Sequence, residues 1–365
     1  MSLKVLQIVP RLPPTITGVG DYAYLLAEEL KTAHNIQTQF LVCDPAWERS
    51  SDLDGFDIER LDSRSGGELH ERLSASGKSS IVLLHYVGYG YEKRGCPIWI
   101  EKGLKQWKEK SLTRRLVVMF HELYASGPVW RSSFWTSYIQ RGVASRLASI
   151  ADSCITNMQR YAQWLMSKEE KHKGCISAMP VFSTVGEEQA NLPLSKRSRR
   201  MIIFGGAVWV KEVLSRYLEE TLVCCRTLGI EEIQTIGSPK GTTPTNLPIS
   251  ICERGFLTAR EVIEIISTSR VGVMNYFPGY LAKSSVYAAY TAHGILPVLP
   301  RYNPSESDGC EAGTTYLLLD QIKSSLSEES LQRIADNARG WYRAHNLIQT
   351  ANIYARLIGE CAEVC

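Results

Sequence analysis

The chain has 365 residues, with 41 Lys and Arg against 38 Asp and Glu and a net charge of +3. That is enough chain for two domains of ordinary size, and the charge is too small to argue for a nucleic-acid partner. No apolar run approaches the roughly 18–20 residues a membrane span needs. The N-terminus lacks the long apolar stretch of a signal peptide. Ten cysteines without a CxxC spacing exclude a zinc site of the usual pattern and point to reduced thiols in a cytoplasm.

Strand-like and helix-like segments alternate along the chain, which predicts α/β architecture with parallel sheets. Lys4–Val9 reads as a first buried strand. A helix follows with Tyr22, Leu25, Leu26, Glu29 and Leu30 at helical spacing and Asp21 in the N-cap position. Gln37–Cys43, Ser80–His85, Leu116–His121, Ser149–Asn157 and Gly174–Met179 continue the pattern of strands. A first domain is therefore expected over 1–184. The polar, basic stretch 185–200 reads as a linker. A second domain, 201–344, repeats the alternation: Met201–Phe204, a helix from about Lys211 to Leu228, a helix Ala259–Ser267, a small-residue helix opening at Ser284, and an apolar strand after Gly294. The end of the chain reads as two helices, Leu331–Ala344 and Ile348–Ile358, the second with an apolar face.

Two such domains imply a central cleft, with ligands at the carboxyl ends of the strands. In the second domain a helix opening at Ser284 aims unpaired N–H groups back at the preceding loop, and Lys283 adds a full charge there. Gly205 and Gly206 end one strand, and Lys211 lies just beyond. Together with Ser284 and Ser285 these residues suit a phosphate or pyrophosphate. There is no GxxxxGK[ST] loop.

In the first domain, Gly18-Val19-Gly20-Asp21-Tyr22-Ala23 satisfies G-x-G-x-x-A, and Asp44 follows the next strand where a ribose-binding acid would lie. That is the basis of a dinucleotide, NAD(P)-dependent oxidoreductase reading. Against it, Pro10–Ile16 separates the glycines from the strand. A loop whose glycines let backbone amides approach a ligand fits better. His121, at a strand end, suits hydrogen bonding to a substrate hydroxyl or proton transfer. Asp21 and His121 are the candidate catalytic side chains. Tyr86, Tyr89 and Tyr124, with the aromatic stretch 128–135, offer rings suited to sugar faces or apolar acceptor tails. Glu101–Arg115 carries six Lys or Arg against two Glu; besides a solvated helix face, it is compatible with docking on an anionic membrane surface with Trp107 at the interface.

The order of these segments resembles bacterial family 4 glycosyltransferases of the GT-B fold, in particular the divergent members found among surface-polysaccharide genes. The likeness runs over nearly the whole chain: the GVGDYAYLLAEEL segment, HYVGYGYEKRGCPIW, FHELY, MPVFSTVGE, IIFGG and AKSSVYAAYTAHGILPV. It implies two Rossmann-like domains, an acceptor-side N-terminal one and a nucleotide-sugar-binding C-terminal one, with the final helix (345–365) crossing back to the first. It further implies a nucleotide-diphosphate sugar donor, a carbohydrate or lipid-linked hydroxyl acceptor, no metal or other cofactor, and transfer with retention. By the resemblance, the Gly18–Gly20 loop approaches the sugar phosphate and His121 lies near the transferred sugar. Gly205, Gly206 and Lys211 would line the donor phosphates. The chain departs from the family where two glutamates are usual: Leu281 and Ala289 stand there. Lys283, Ser284 and Ser285 would then take over phosphate binding. The departure also motivates the alternative of a catalytically inactive, GT-B-like binding or scaffold partner of an active transferase.

Overall fold

The computed structural model describes residues 3–363 apart from 50–52, 54, 76–79, 126–129, 131, 173, 188–191, 242, 245–246, 301 and 303–305. Part of the aromatic stretch 128–135 and of the basic stretch 185–200 thus lies outside the described residues. The chain divides into two compact units, 1–179 with 347–365, and 180–346.

The first unit is built on strands β1 (Leu3–Val9), β2 (Ile36–Val42), β3 (Asp57–Arg60), β4 (Ile81–Tyr86), β5 (Arg115–Phe120), β6 (Ser153–Thr156) and β7 (Ser177–Ala178). They form one parallel sheet in the order β3-β2-β1-β4-β5-β6-β7, with Leu6 opposite Val82 and Leu83 opposite Val117. Helices α1 (Gly18–His34), α2 (Gly66–Ala75), α3 (Gly88–Tyr91, one turn), α4 (Ile98–Glu109), α5 (Ser132–Ile150) and α6 (Gln159–Met166) fall between the strands. A sheet covered by helices on both faces needs strands that are apolar throughout. That is why all six residues of β4 are buried. The pair β3 and α2 escapes sequence reading because β3 is short and polar, Asp-Ile-Glu-Arg, and only two residues of α2 are buried.

The second unit repeats the plan with β8 (Ser198–Phe204), β9 (Glu232–Ile236), β10 (Ser250–Gly255), β11 (Ser269–Val273), β12 (Leu296–Leu299) and β13 (Leu317–Leu318). Its order, β10-β9-β8-β11-β12-β13, has the same reversal after the third position. Its helices are α7 (Ala207–Val213), α8 (Leu218–Leu228), α9 (Ala259–Thr268), α10 (Ser285–Ala292) and α11 (Glu328–Arg343). The single helix expected from Lys211 to Leu228 is two, broken between Val213 and Leu218. Thr258 and Glu261 form a reciprocal capping box that fixes the start of α9. Met201, Ile203, Val271, Val273, Leu296 and Val298 fill the core on one side of this sheet; Ile202, Tyr287, Tyr290 and Leu299 fill a second cluster. The last helix, α12 (Leu347–Glu363), belongs to the first unit and packs on α1.

The stretch expected as a linker is instead part of the second unit. Leu194 is buried in the core there. Arg197 is buried too, its guanidinium donating to the carbonyls of Leu192, Ser269 and His293. A guanidinium taken out of water needs several acceptors, and these three carbonyls supply them.

Candidate functional site

Both sheets reverse strand order once, between β1 and β4 and between β8 and β11. At such a point the loops after the two central strands diverge and leave a crevice at their carboxyl ends. In the second unit that crevice is a pocket of about 220 Å³. Phe204, Gly205 and Gly206 line it from the end of β8, Met274, Asn275 and Tyr276 from the end of β11, Trp209 from α7, and Lys283 to Val286 from the start of α10. Local sequence explains this geometry. Gly205 has φ +148, and Gly237 approaches its carbonyl so closely that a Cβ there would lie 2.8 Å from the oxygen. The Tyr290 hydroxyl accepts the Phe204 N–H at 3.0 Å and donates to the Val273 carbonyl at 3.1 Å, tying β8 to β11 beneath the pocket.

Ser284 is the N-cap of α10, which begins at Ser285. Its hydroxyl accepts the Tyr287 N–H at 3.2 Å, and the Ala288 N–H bonds to its carbonyl. Of the first-turn amides without a carbonyl partner within the helix, Tyr287 is capped by that hydroxyl, which leaves Ser285 and Val286. The half-buried Lys283 is the one charged residue lining the pocket among the described residues, its Nζ 5.3 Å from the Tyr280 ring. Lys211 is a correction: it is exposed on α7 and does not line the pocket. The helix turns Trp209 toward the crevice instead, where it meets Tyr276 edge-on at 6.4 Å. Trp209, Asn275 and Tyr276 are residues that sequence reasoning missed. The Asn275 amide donates to Glu212, and its oxygen accepts from the Tyr302 hydroxyl at 2.5 Å. Leu281 and Ala289, where the family resemblance would place glutamates, are both buried in the core.

A larger depression, of about 610 Å³, lies over β13 and α11. It mixes Asp320 with Lys323 and Arg333 and draws nothing from the loops after β8 and β11. The smaller crevice, with Lys283 and helix-start amides, is the better anion site.

In the first unit the residues singled out gather at the carboxyl ends of β1, β4 and β5. Thr17, not Asp21, caps α1: its hydroxyl accepts the Gly20 N–H at 3.1 Å. Asp21 sits in the first turn, where burial pushes its carboxyl up to about 6 against the opposing effect of a backbone bond at Thr17. A Cβ on Gly18 would meet nothing within 4 Å, whereas one on Gly20 would lie 2.5 Å from the Arg11 carbonyl oxygen. Gly18 leaves open space; Gly20 allows chain-on-chain packing. Asp44 is buried and paired with both Arg11 and Arg64. Burial works to raise its carboxyl, but the Ala46 amide and the two guanidiniums outweigh it and hold it below its ordinary value. A buried carboxylate already holding two guanidiniums and an amide is poorly placed for a ribose, which counts against the dinucleotide reading.

His121 is buried directly after β5, its Nε2 3.1 Å from His85 Nδ1 and its ring edge-on to Tyr22 at 5.0 Å. Tyr86 is a second correction. The β4 pleat turns its ring into the core against Phe120, fully buried, so it cannot meet an acceptor. Tyr89 is 45% exposed, with Gln140 donating to its hydroxyl at 3.2 Å. Tyr124 is half-buried between Trp164 and the Arg141 guanidinium, which lies 4.3 Å from the ring centre. Trp107 is also corrected: it is buried on the inner face of α4 with Arg114 over its ring, so it cannot enter a lipid interface. No helix among the described residues is long and apolar enough to cross a membrane. The nine described cysteines are free thiols, and no described cluster of three His, Cys, Asp or Glu could hold a metal ion.

No family model and no curated protein matches the sequence. Solved structures do match in fold. An α-glucosyltransferase in complex with UDP and a 13-mer DNA containing an HMU base is similar at TM-score 0.61 and 10% identity, covering 98% of this chain and 99% of the other. A Listeria monocytogenes protein assigned as a UDP-N-acetylglucosamine 2-epimerase is similar at 0.63 and 15%, covering 100% and 98%. A glycosyltransferase from Rickettsia africae is similar at 0.62 and 12%, covering 99% and 98%. The chain therefore has the fold of these proteins, two Rossmann-like α/β units of the GT-B type.

Proposed function

We propose that the protein is a glycosyltransferase that moves a sugar from a nucleotide-diphosphate sugar to a hydroxyl acceptor. The carrying observation is the crevice between β8 and β11, where two glycines, Lys283 and the Ser285 and Val286 amides surround a space of anion size. The second unit binds the donor diphosphate there. Lys283 and the start of α10 stabilise the charge that grows on the leaving diphosphate. In this reading no metal ion takes part, and Trp209 and Tyr276 offer aromatic faces beside the phosphates. On the first unit His121 hydrogen-bonds the transferred sugar, and Asp21, with its raised carboxyl, is suited to proton transfer near neutral pH. Transfer with retention and a place in surface polysaccharide or glycolipid synthesis follow from the family resemblance. The α-glucosyltransferase and the epimerase, whose names include UDP or a UDP-sugar, make UDP-sugars the first donors to try.

Calorimetry with a panel of nucleotide sugars and free nucleotides, followed by donor hydrolysis and transfer assays, tests this reading. Binding with slow hydrolysis supports it. Silence across the panel refutes it. The alternative of an inactive binding partner draws on one observation, the apolar, buried Leu281 and Ala289. Nucleotide binding with no turnover on any acceptor would favour it.

A further inference from the structure

His85 has no part in the chemistry described so far, yet it is a buried, polar side chain in direct contact with His121. It stands near the end of β4, at the strand-order reversal. Its Nε2 lies 2.8 Å from the Gln7 Oε1, and the Gln7 Nε2 lies 3.3 Å from Thr38 Oγ1. Gln7 thus turns its amide N–H₂ toward Thr38 and its oxygen toward His85. An amide oxygen only accepts, so the proton of this pair is on His85 Nε2. Burial, reinforced by the neighbouring His121, holds His85 far below the usual imidazole range, so it is neutral. A neutral imidazole with its proton on Nε2 has a lone pair on Nδ1. The group facing that lone pair is His121 Nε2, at 3.1 Å, which must then be the donor. The Tyr22 ring packs edge-on against both imidazoles, at 5.9 and 5.0 Å, and hinders either from turning over.

We infer that His85 is a positioning residue for His121: the Gln7–His85–His121 chain fixes the His121 ring with a proton on Nε2, donated to His85 Nδ1. A ring held in one orientation is what the role of His121 toward a substrate hydroxyl requires. The functional half of this inference rests on the role given to His121 above; the tautomer does not.

The test uses the full chain with ¹⁵N-labelled histidine and long-range ¹H–¹⁵N ring correlations, together with turnover. The native protein is expected to show His121 protonated on Nε2. His85→Leu should lose that single pattern and lower turnover about tenfold or more. Gln7→Leu, which leaves both imidazoles in place, should also disturb the pattern. His85→Asn, whose amide oxygen can accept from His121 Nε2–H, should restore the pattern and most of the turnover. A native His121 without a proton on Nε2, an unchanged ring pattern in His85→Leu, or a His85→Asn protein no better than His85→Leu would overturn the proposal. A shifted tautomer with unchanged turnover would overturn instead the role of His121 and with it the functional half of the inference.

Discussion

The hydroxyl of Tyr22, in the first helix, lies 3.3 Å from that of Tyr354, in the last, across 332 residues of chain. Both rings are fully buried, and both hydroxyls are pushed above the usual tyrosine range by that burial. Tyr22 also packs against His85 and His121. The end of the chain is therefore part of the structure that holds the first unit's site. Tyr354→Phe should cost about 1 kcal/mol through the lost hydrogen bond. Tyr354→Ala should cost about 3–5 kcal/mol through the cavity. Denaturant midpoints of the two variants check both values, and removal of α12 should leave the first unit unable to fold.

The two lysines once grouped around the phosphates should now separate. Lys283 lines the crevice beside the start of α10, whereas Lys211 is exposed outside it. Lys283→Ala should weaken nucleotide-diphosphate binding by about 1.5–3 kcal/mol, on the order of tenfold to a hundredfold, and lower turnover while the fold persists. Lys211→Ala should change neither by more than about twofold. Calorimetric titration with UDP reads both. Equal effects of the two substitutions would count against the crevice as the phosphate site.

Asp21 gives a pH dependence with a definite sign. Its carboxyl titrates near 3.8 when unperturbed and at about 6 when folded, because burial disfavours the charged form. Between those values the folded state binds more protons than the unfolded one. Stability from this group is therefore full below the lower value, falls as pH rises through the window, and stays reduced above it. Asp21→Asn should be more stable than the parent at neutral pH, by about 1–3 kcal/mol, and no more stable below the lower value. Urea melts at the two pH values check it. If Asp21 also moves a proton in the reaction, the same variant loses activity while gaining stability.

Gly18 and Gly20 should respond oppositely to a methyl group. An Ala at position 20 would press on the Arg11 carbonyl and the Thr17 hydroxyl, so the chain must shift, at about 1–3 kcal/mol. An Ala at position 18 meets open space, so stability should hold. If a ligand closes on that loop, Gly18→Ala should raise KM for the donor in a steady-state assay while thermal unfolding is unchanged.

Much of the site was legible locally. A Ser N-cap after a Lys, glycines after an apolar strand and a His at a strand end are short-range patterns with direct physical meaning. Lys283, Ser284, Ser285, Gly205 and Gly206 accordingly meet in one crevice. Other features had no local signal. Tyr86 looked like part of an aromatic loop until β4, buried on both faces, took it in against Phe120. Trp107 looked interfacial until α4 packed. His85 was one more ring in a stretch of rings, and its contact with Gln7 spans 78 residues.

The sequence by itself determined the alternation of strands and helices, the parallel sheets and the placing of polar motifs after apolar strands, because periodicity, capping and glycine geometry act over a few residues. The tertiary structure alone decided which side chains face a crevice and which face a core, and which distant groups share a proton. Those outcomes depend on strand order, pleat register and burial, which arise only when segments far apart in the chain are brought together.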